Sequence, residues 1–247
     1  MITEARADDL MQLEIQTEAA VKIAGWASAY GWDRPFMRIW KTDHNGLIAC
    51  MGREALAAAE PEDEEETALF LLMQPAVQAV RADPGLVRLL AAARPGRTQR
   101  GAVMRLITPA TAAGIMEPPP LNEVYRLLTL VFDDTLPPWE DWYVDVSHRL
   151  RHGCCRIAGV VEADGLAAVA MTTAECGSAA LIGGVATHPA FRRRGYARRC
   201  VMSVAAALQE EGKDVWLSPK NETARQLYSR WGFIKAGEWA AITWEDV

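Results

Sequence analysis

The sequence predicts an α/β protein of the α+β kind, a mostly antiparallel sheet flanked by helices with a smaller α/β unit in front. Three observations carry that expectation. The 247 residues are 50% apolar and 23% charged, an ordinary globular balance at a length that allows one or two domains. In the second half, three strand-like runs follow one another through tight-turn residues. Around them, apolar residues recur at three- and four-residue spacing, which marks helices with one buried face.

Taken in order, Phe36 to Lys41 alternates with a period near two. Asp43-His44-Asn45-Gly46 follows, and Asn-Gly is the strongest short-range hairpin signal, so Leu47 to Met51 reads as the returning strand. Pro61 to Glu66 is an acidic run ahead of the apolar stretch from Thr67. Acidic residues in a first helical turn suit the positive end of the helix dipole. A short helix is expected over Pro84 to Ala93. Thr108-Pro109 through Gly114, then Pro118-Pro119-Pro120, continue neither a helix nor a central strand. They place a boundary that divides the chain into 1–112 and 113–247.

Beyond it, Val124, Leu128 and Val131 share one helical face, as do Trp139, Trp142, Tyr143, Val146 and Leu150 on a second helix after Pro137-Pro138. Strands are expected over about 155–161, 166–173 and 179–187, with turns at Asp164-Gly165 and Cys176-Gly177-Ser178, an antiparallel meander. A long helix runs from about 195 to 211, burying Ala197, Val201, Val204 and Leu208 and stopping at Gly212. A strand over 214–217, a helix over about 222–231 and a strand over 233–243 complete the chain.

The formal net charge of −6 disfavours a nucleic-acid partner, since that binding is driven by phosphate neutralisation. The N-terminus lacks the charge and apolar core of a signal peptide, and no apolar run is long enough to span a bilayer. Cys50, Cys154, Cys155, Cys176 and Cys200 are odd in number and form no C-x-x-C pair. They read as apolar fillers of a cytoplasmic protein. His148 and His152 are four apart with no third ligand placed to join them, so no metal is expected.

Chemistry is concentrated where the strand ending at Thr187 gives way to the long helix. The first amides of a helix lack internal partners and carry the positive end of its dipole, so a loop entering it can wrap a phosphate. Gly195 and Ala197 permit close approach, and five arginines lie within Arg192 to Arg199, each a bidentate phosphate donor. A solvated basic helix face is the bland alternative. The run is not a nucleoside-triphosphate loop, since G-x-x-x-x-G-K-[ST] is absent. The G-x-G-x-x-G dinucleotide fingerprint is absent too.

Arg192-Arg193-Arg194-Gly195-Tyr196-Ala197 resembles the pyrophosphate loop of the GCN5-related N-acetyltransferase superfamily, Q/R-x-x-G-x-G/A. Downstream, Asn221 to Phe233 resembles that family's N-x-x-A-x-x-L-Y-x-x-x-G-F block. The resemblance covers roughly Glu117 to Val247 and implies a mixed, mostly antiparallel twisted sheet. It implies an acyl-coenzyme A cosubstrate, usually acetyl-CoA, whose pantetheine arm runs beside Val185, Ala186 and Thr187. The pyrophosphate would lie on Arg193, Arg194, Gly195, Tyr196, Ala197 and Arg198, with Arg192 or a neighbour at the 3′-phosphate. Asn221 corresponds to a side chain that bonds the cofactor, and Tyr228 to the phenol that protonates the leaving thiolate. The acceptor would be a small-molecule or peptide amine, the protein a monomer or homodimer.

Each residue has a structural alternative. Tyr228 shares a stripe with Ala224, Leu227 and Trp231, Asn221 stands where an N-cap would, and Gly232 where a C-terminal cap would. Some relatives carry a Glu where this chain has Trp216, which leaves Glu175 or a water chain as the base, with neither favoured. The alternative to catalysis is a non-catalytic acyl-CoA-binding sensor or regulatory protein. The first segment reads as a degenerate copy of the same fold or an acceptor-side domain, without a second cofactor. Trp26, Trp32 and Trp40 either line its cleft or sit in its core.

Overall fold

Helix, three strands, helix, strand, helix, strand: this order of elements occurs twice along the chain. In the computed structural model, residues 1–6, 9, 15–32, 34–111, 118–132, 136–163 and 165–244 are described. The expected linker residues Ala112, Ala113 and Gly114 and the turn residue Asp164 lie outside them. The first pass comprises α1 (Glu18–Tyr30), β2 (Met37–Lys41), β3 (Leu47–Met51), β4 (Glu54–Ala58), α2 (Glu64–Leu72), β5 (Ala79–Ala82), α3 (Pro84–Ala93) and β6 (Arg97–Leu106), preceded by β1 (Thr3–Glu4). After α4 (Leu121–Phe132), the second pass comprises α5 (Trp139–Arg151), β7 (Ile157–Glu162), β8 (Gly165–Glu175), β9 (Ala179–Thr187), α6 (Tyr196–Glu210), β10 (Asp214–Leu217), α7 (Glu222–Ser229) and β11 (Phe233–Thr243).

By contacts the chain divides into two units. Residues 1–104, 219–225 and 235–247 form the first, and 105–218 with 226–234 the second. In the first, the strand order is β1-β2-β3-β4-β5-β11-β6. Neighbouring strands from β1 to β4 are antiparallel, β4 and β5 parallel, and β5 and β11 antiparallel. Alternation along β3 sends Leu47 and Ala49 to α1, with Ile23 and Ala27. Ile48 goes to the opposite face, where Leu71 of α2 and Leu86 and Leu90 of α3 pack. Side chains that alternate on a strand fill both layers in this way.

Asn45 in the first hairpin has φ +65 and is the left-handed last residue of a three-residue loop inside the bond from Thr42 N–H to Gly46 O at 3.0 Å, not the first residue of a two-residue turn. The acidic run takes a different part from a simple cap. Asp63 precedes α2 without capping it, and its carboxylate instead accepts from the backbone N–H of His44 at 3.1 Å and meets His44 Nδ1 at 2.8 Å. The dipole is met by Glu64, Glu65 and Glu66 in the first turn. Trp40 is buried against Phe70, ring centroids 5.0 Å apart, and Trp26 and Trp32 pack against the α1 core.

In the second unit the strand order is β10-β9-β8-β7, with β7, β8 and β9 an antiparallel meander and β10 parallel to β9. Val124, Leu127 and Leu128 of α4 and Trp142 and Val146 of α5 cover Ile157, Val169, Met171 and Ala186. Burial of such side chains is the main favourable term, about 1.5–3 kcal/mol each.

Candidate functional site

β9 is paired differently along its two halves. From Ala179↔Asp214 to Ile182↔Leu217 it pairs with β10. Beyond Ile182 the two strands part, and Gly183–Thr187 have no strand partner on that edge among the described residues. Two register shifts in the β8–β9 ladder accompany the parting, the kind of irregularity that re-aims a strand. Gly184 has φ +53, and a Cβ there would lie 2.8 Å from Met171 Cγ, so a side chain would strain the backbone and force Met171 to shift. The open edge, including Val185, Ala186 and Thr187, presents free backbone groups to any extended chain laid beside it.

The chain then enters a tight loop. His188 N–H bonds Ala167 O at 2.9 Å, and Pro189–Phe191 form one 3₁₀ turn. Arg193 has φ +63 and Gly195, the residue before α6, φ +80. Two left-handed residues so close turn successive N–H groups to one side, an anion-binding nest. A Cβ at Gly195 would meet nothing within 4 Å, so the glycine answers the backbone, not a lack of space. No side chain caps α6, and its first bond is Arg199 N–H to Gly195 O at 3.1 Å. The amides of Tyr196, Ala197 and Arg198 are therefore open, beside the dipole's positive end.

The guanidinium groups are equally uncommitted. Arg192, Arg193, Arg194 and Arg198 are exposed, as is Arg199, and none pairs with a carboxylate among the described residues. Arg192 Nε reaches back to Thr187 O at 3.5 Å, Arg194 lies 5.2 Å over the Phe191 ring, and Arg199 5.8 Å over Tyr196. A cleft of roughly 670 Å³ opens here, lined by Arg194, Gly195, Arg198, Arg199, Met202, Thr108, Pro109, Thr111, Arg230, Trp231 and Gly232. Thr108, Met202, Arg230 and Trp231 were not expected as cleft walls: Thr108 and Met202 lie outside both motifs, and Arg230 and Trp231 occupy variable positions of the second. A cleft of about 730 Å³ in the first unit is lined in part by Trp32, Arg34 and Arg38, which puts Trp32 on a cleft wall, and it contains none of the residues expected to bind the cofactor.

Tyr228, on α7, is 8% exposed with its ring against Trp231 and Phe233 at 5.3 and 5.9 Å. Burial pushes its phenol up to about 12, so it is fully protonated at neutral pH. Asn221 Oδ1 accepts from Ala224 N–H at 2.9 Å, an N-cap bond. Its side-chain NH₂ is left to donate. By contacts Asn221 belongs to the first unit and Tyr228 to the second.

Of the two base candidates, Glu175 is held elsewhere. It is 2% exposed, with Arg156 at 2.8 Å and Lys213 at 2.7 Å. Glu211 closes the cluster at 2.6 Å from Arg156 and 3.0 Å from Lys213. Burial opposes the charge on Lys213, but its bonds to Glu175 and Glu211 raise it overall, and bonds from Arg156 and Lys213 lower Glu211. A buried carboxylate neutralising two partly buried cations is a strut. Trp216 is buried, its Nε1 has no hydrogen-bond partner among the described residues, and Arg105 lies 5.9 Å from its ring.

Among the described residues no three His, Cys, Asp or Glu side chains are placed to hold a metal. His148 and His152 stack at 4.1 Å, and His152 Nδ1 meets His148 O at 2.8 Å. Burial pushes the thiols of Cys50 and Cys155 up to about 11 and that of Cys200 to about 12. No helix among the described residues is long and apolar enough to cross a membrane.

The mixed, mostly antiparallel sheet flanked by helices is like that of solved GCN5-related N-acetyltransferases. Residues 158–242 match the model of the FR47-like protein family, a family of this type. Among solved structures, an X-ray structure of a Drosophila protein matches over 98% of this chain and 98% of its own, at 12% identity and a TM-score of 0.66. A GCN5-related N-acetyltransferase from Kribbella flavida matches over 95% and 98%, at 14% identity and 0.58. A tandem GNAT protein of the clavulanic acid biosynthesis pathway matches over 97% and 94%, at 13% identity and 0.56. At these identities the likeness is one of fold. No curated protein matches the chain in sequence.

Proposed function

We propose that the protein is an acyl-CoA-dependent N-acyltransferase that moves acetyl from acetyl-CoA to a primary amine of a small molecule or peptide. The observation that carries this reading is the continuity of the open β9 edge with the arginine-rich nest at the start of α6. One extended ligand with an amide-bearing arm and a pyrophosphate fits both. The edge offers backbone partners to the arm from Gly183 to Thr187, and the loop offers free amides and uncommitted guanidinium groups to the phosphates.

Catalysis is direct transfer. The amine lone pair attacks the thioester carbonyl carbon while backbone N–H groups of the β9 edge steady the oxygen. The C–S bond breaks, and Tyr228, protonated at neutral pH by its burial, gives its proton to the sulfur as general acid. The proton shed by the amine restores the phenol, leaving an N-acetylated amine and free CoA thiol. With Glu175 bound in its ion cluster, the acceptor arrives as free base or loses its proton to water, and positioning supplies much of the rate.

The first unit fits a second copy of the fold without a cofactor site, as in a tandem arrangement. Its α2 begins with Glu64, Glu65 and Glu66 where the second copy has arginines, and carboxylates there repel a phosphate.

The test is CoA release from acetyl-CoA with a panel of primary amines. Release is expected with at least one amine, and Tyr228→Phe should lower kcat by about 100-fold. A chain that binds CoA yet releases none with any amine contradicts the reading.

A further inference from the structure

The anion loop rests on a tether. Tyr196 and Cys200 are one helical turn apart on α6, so they share a face. On β7, Val160 and Glu162 likewise share a face. The two faces meet: Cys200, fully buried, lies at the backbone of Val160, and the Tyr196 hydroxyl donates to Glu162 Oε1. Tyr196 is the residue directly after Gly195, and its own amide is one of the open N–H groups of the nest. Glu162 is thus a carboxylate held at the first turn of the helix that the arginine run enters, and among the described residues it accepts from the phenol and pairs with none of those arginines.

A carboxylate beside a phosphate site is an electrostatic cost, because it repels the ligand. We infer that Glu162 and Tyr196 are positioning residues for the cofactor: the bond anchors the first turn of α6 to β7 and holds the loop, with its left-handed Arg193, in the anion-binding conformation before ligand arrives. This deepens the acyl-CoA reading and rests on it. The gain is preorganisation, which lowers the ordering cost of binding.

Charge and positioning predict opposite signs, which makes the inference testable. Calorimetric titration of CoA into the intact chain compares the parent with Tyr196→Phe, Glu162→Ala and Glu162→Gln, each checked for folding by circular dichroism. If the tether positions the loop, Tyr196→Phe and Glu162→Ala weaken CoA by about tenfold, the worth of one anchoring hydrogen bond. Glu162→Gln, whose amide oxygen still accepts from the phenol, binds as the parent does or more tightly. In turnover the losses appear in KM for acetyl-CoA, with kcat at saturating cofactor little changed. Tighter binding by Glu162→Ala, or parent-like binding by Tyr196→Phe, overturns the inference and leaves the acyl-CoA reading intact. Failure of the parent to bind CoA overturns that reading itself.

Discussion

The ordinary phenol value is 10, and burial alone takes Tyr228 to about 12. The folded value is the higher one, so the neutral phenol's contribution to stability is complete below about pH 10 and is lost as the pH rises toward 12. Tyr228→Phe should abolish that part of the alkaline decline, read by urea denaturation across pH 9 to 12. An unchanged decline would mean the phenol is not buried as described. Arg193 holds a left-handed backbone at φ +63, which costs a non-glycine residue about 1 kcal/mol. Arg193→Gly should raise stability by up to about that amount while weakening CoA binding through the lost guanidinium. A melting temperature below the parent's would contradict the strain.

At the scale of elements, the ion cluster around Glu175 ties the end of β8 to Arg156 before β7, to Glu211 after α6 and to Lys213 before β10. Glu175→Ala leaves Arg156 and Lys213, both partly buried, with Glu211 as their remaining shared carboxylate and should cost about 1–3 kcal/mol by chemical denaturation. A loss below 1 kcal/mol would show that the cluster is a surface feature. Elements with a clean signal were legible in sequence: α3, β10 and β11 run as the patterns indicated, and the meander of β7, β8 and β9 lies within a few residues of expectation. Others were not. α1 is rich in alanine and buried on most of its circumference, so it has no sharp apolar stripe. β4, Glu-Ala-Leu-Ala-Ala, is made of helix formers and becomes a strand through its ladder to β3. β6 begins with four exposed residues, Arg97 to Arg100, and resembles a polar loop.

For the whole molecule, the arginine loop was legible because five like charges against a net charge of −6 stand out. The cleft walls Thr108, Arg230 and Trp231 were not, because segments more than a hundred residues apart meet there only after folding. The repeated order of elements was legible only as one of two readings of the first segment, because the two passes share topology without sharing motifs. The acid-rich start of α2 predicts one CoA per chain in calorimetric titration. A stoichiometry of two would assign a second site to the first unit. The central claim is that acetyl-CoA lies along the open edge of β9 with its phosphates in the loop before α6. Amide hydrogen exchange with and without CoA tests it most directly. New protection is expected to concentrate in residues 183–187 and 193–199. CoA that binds and protects other segments while leaving these two unchanged would contradict it.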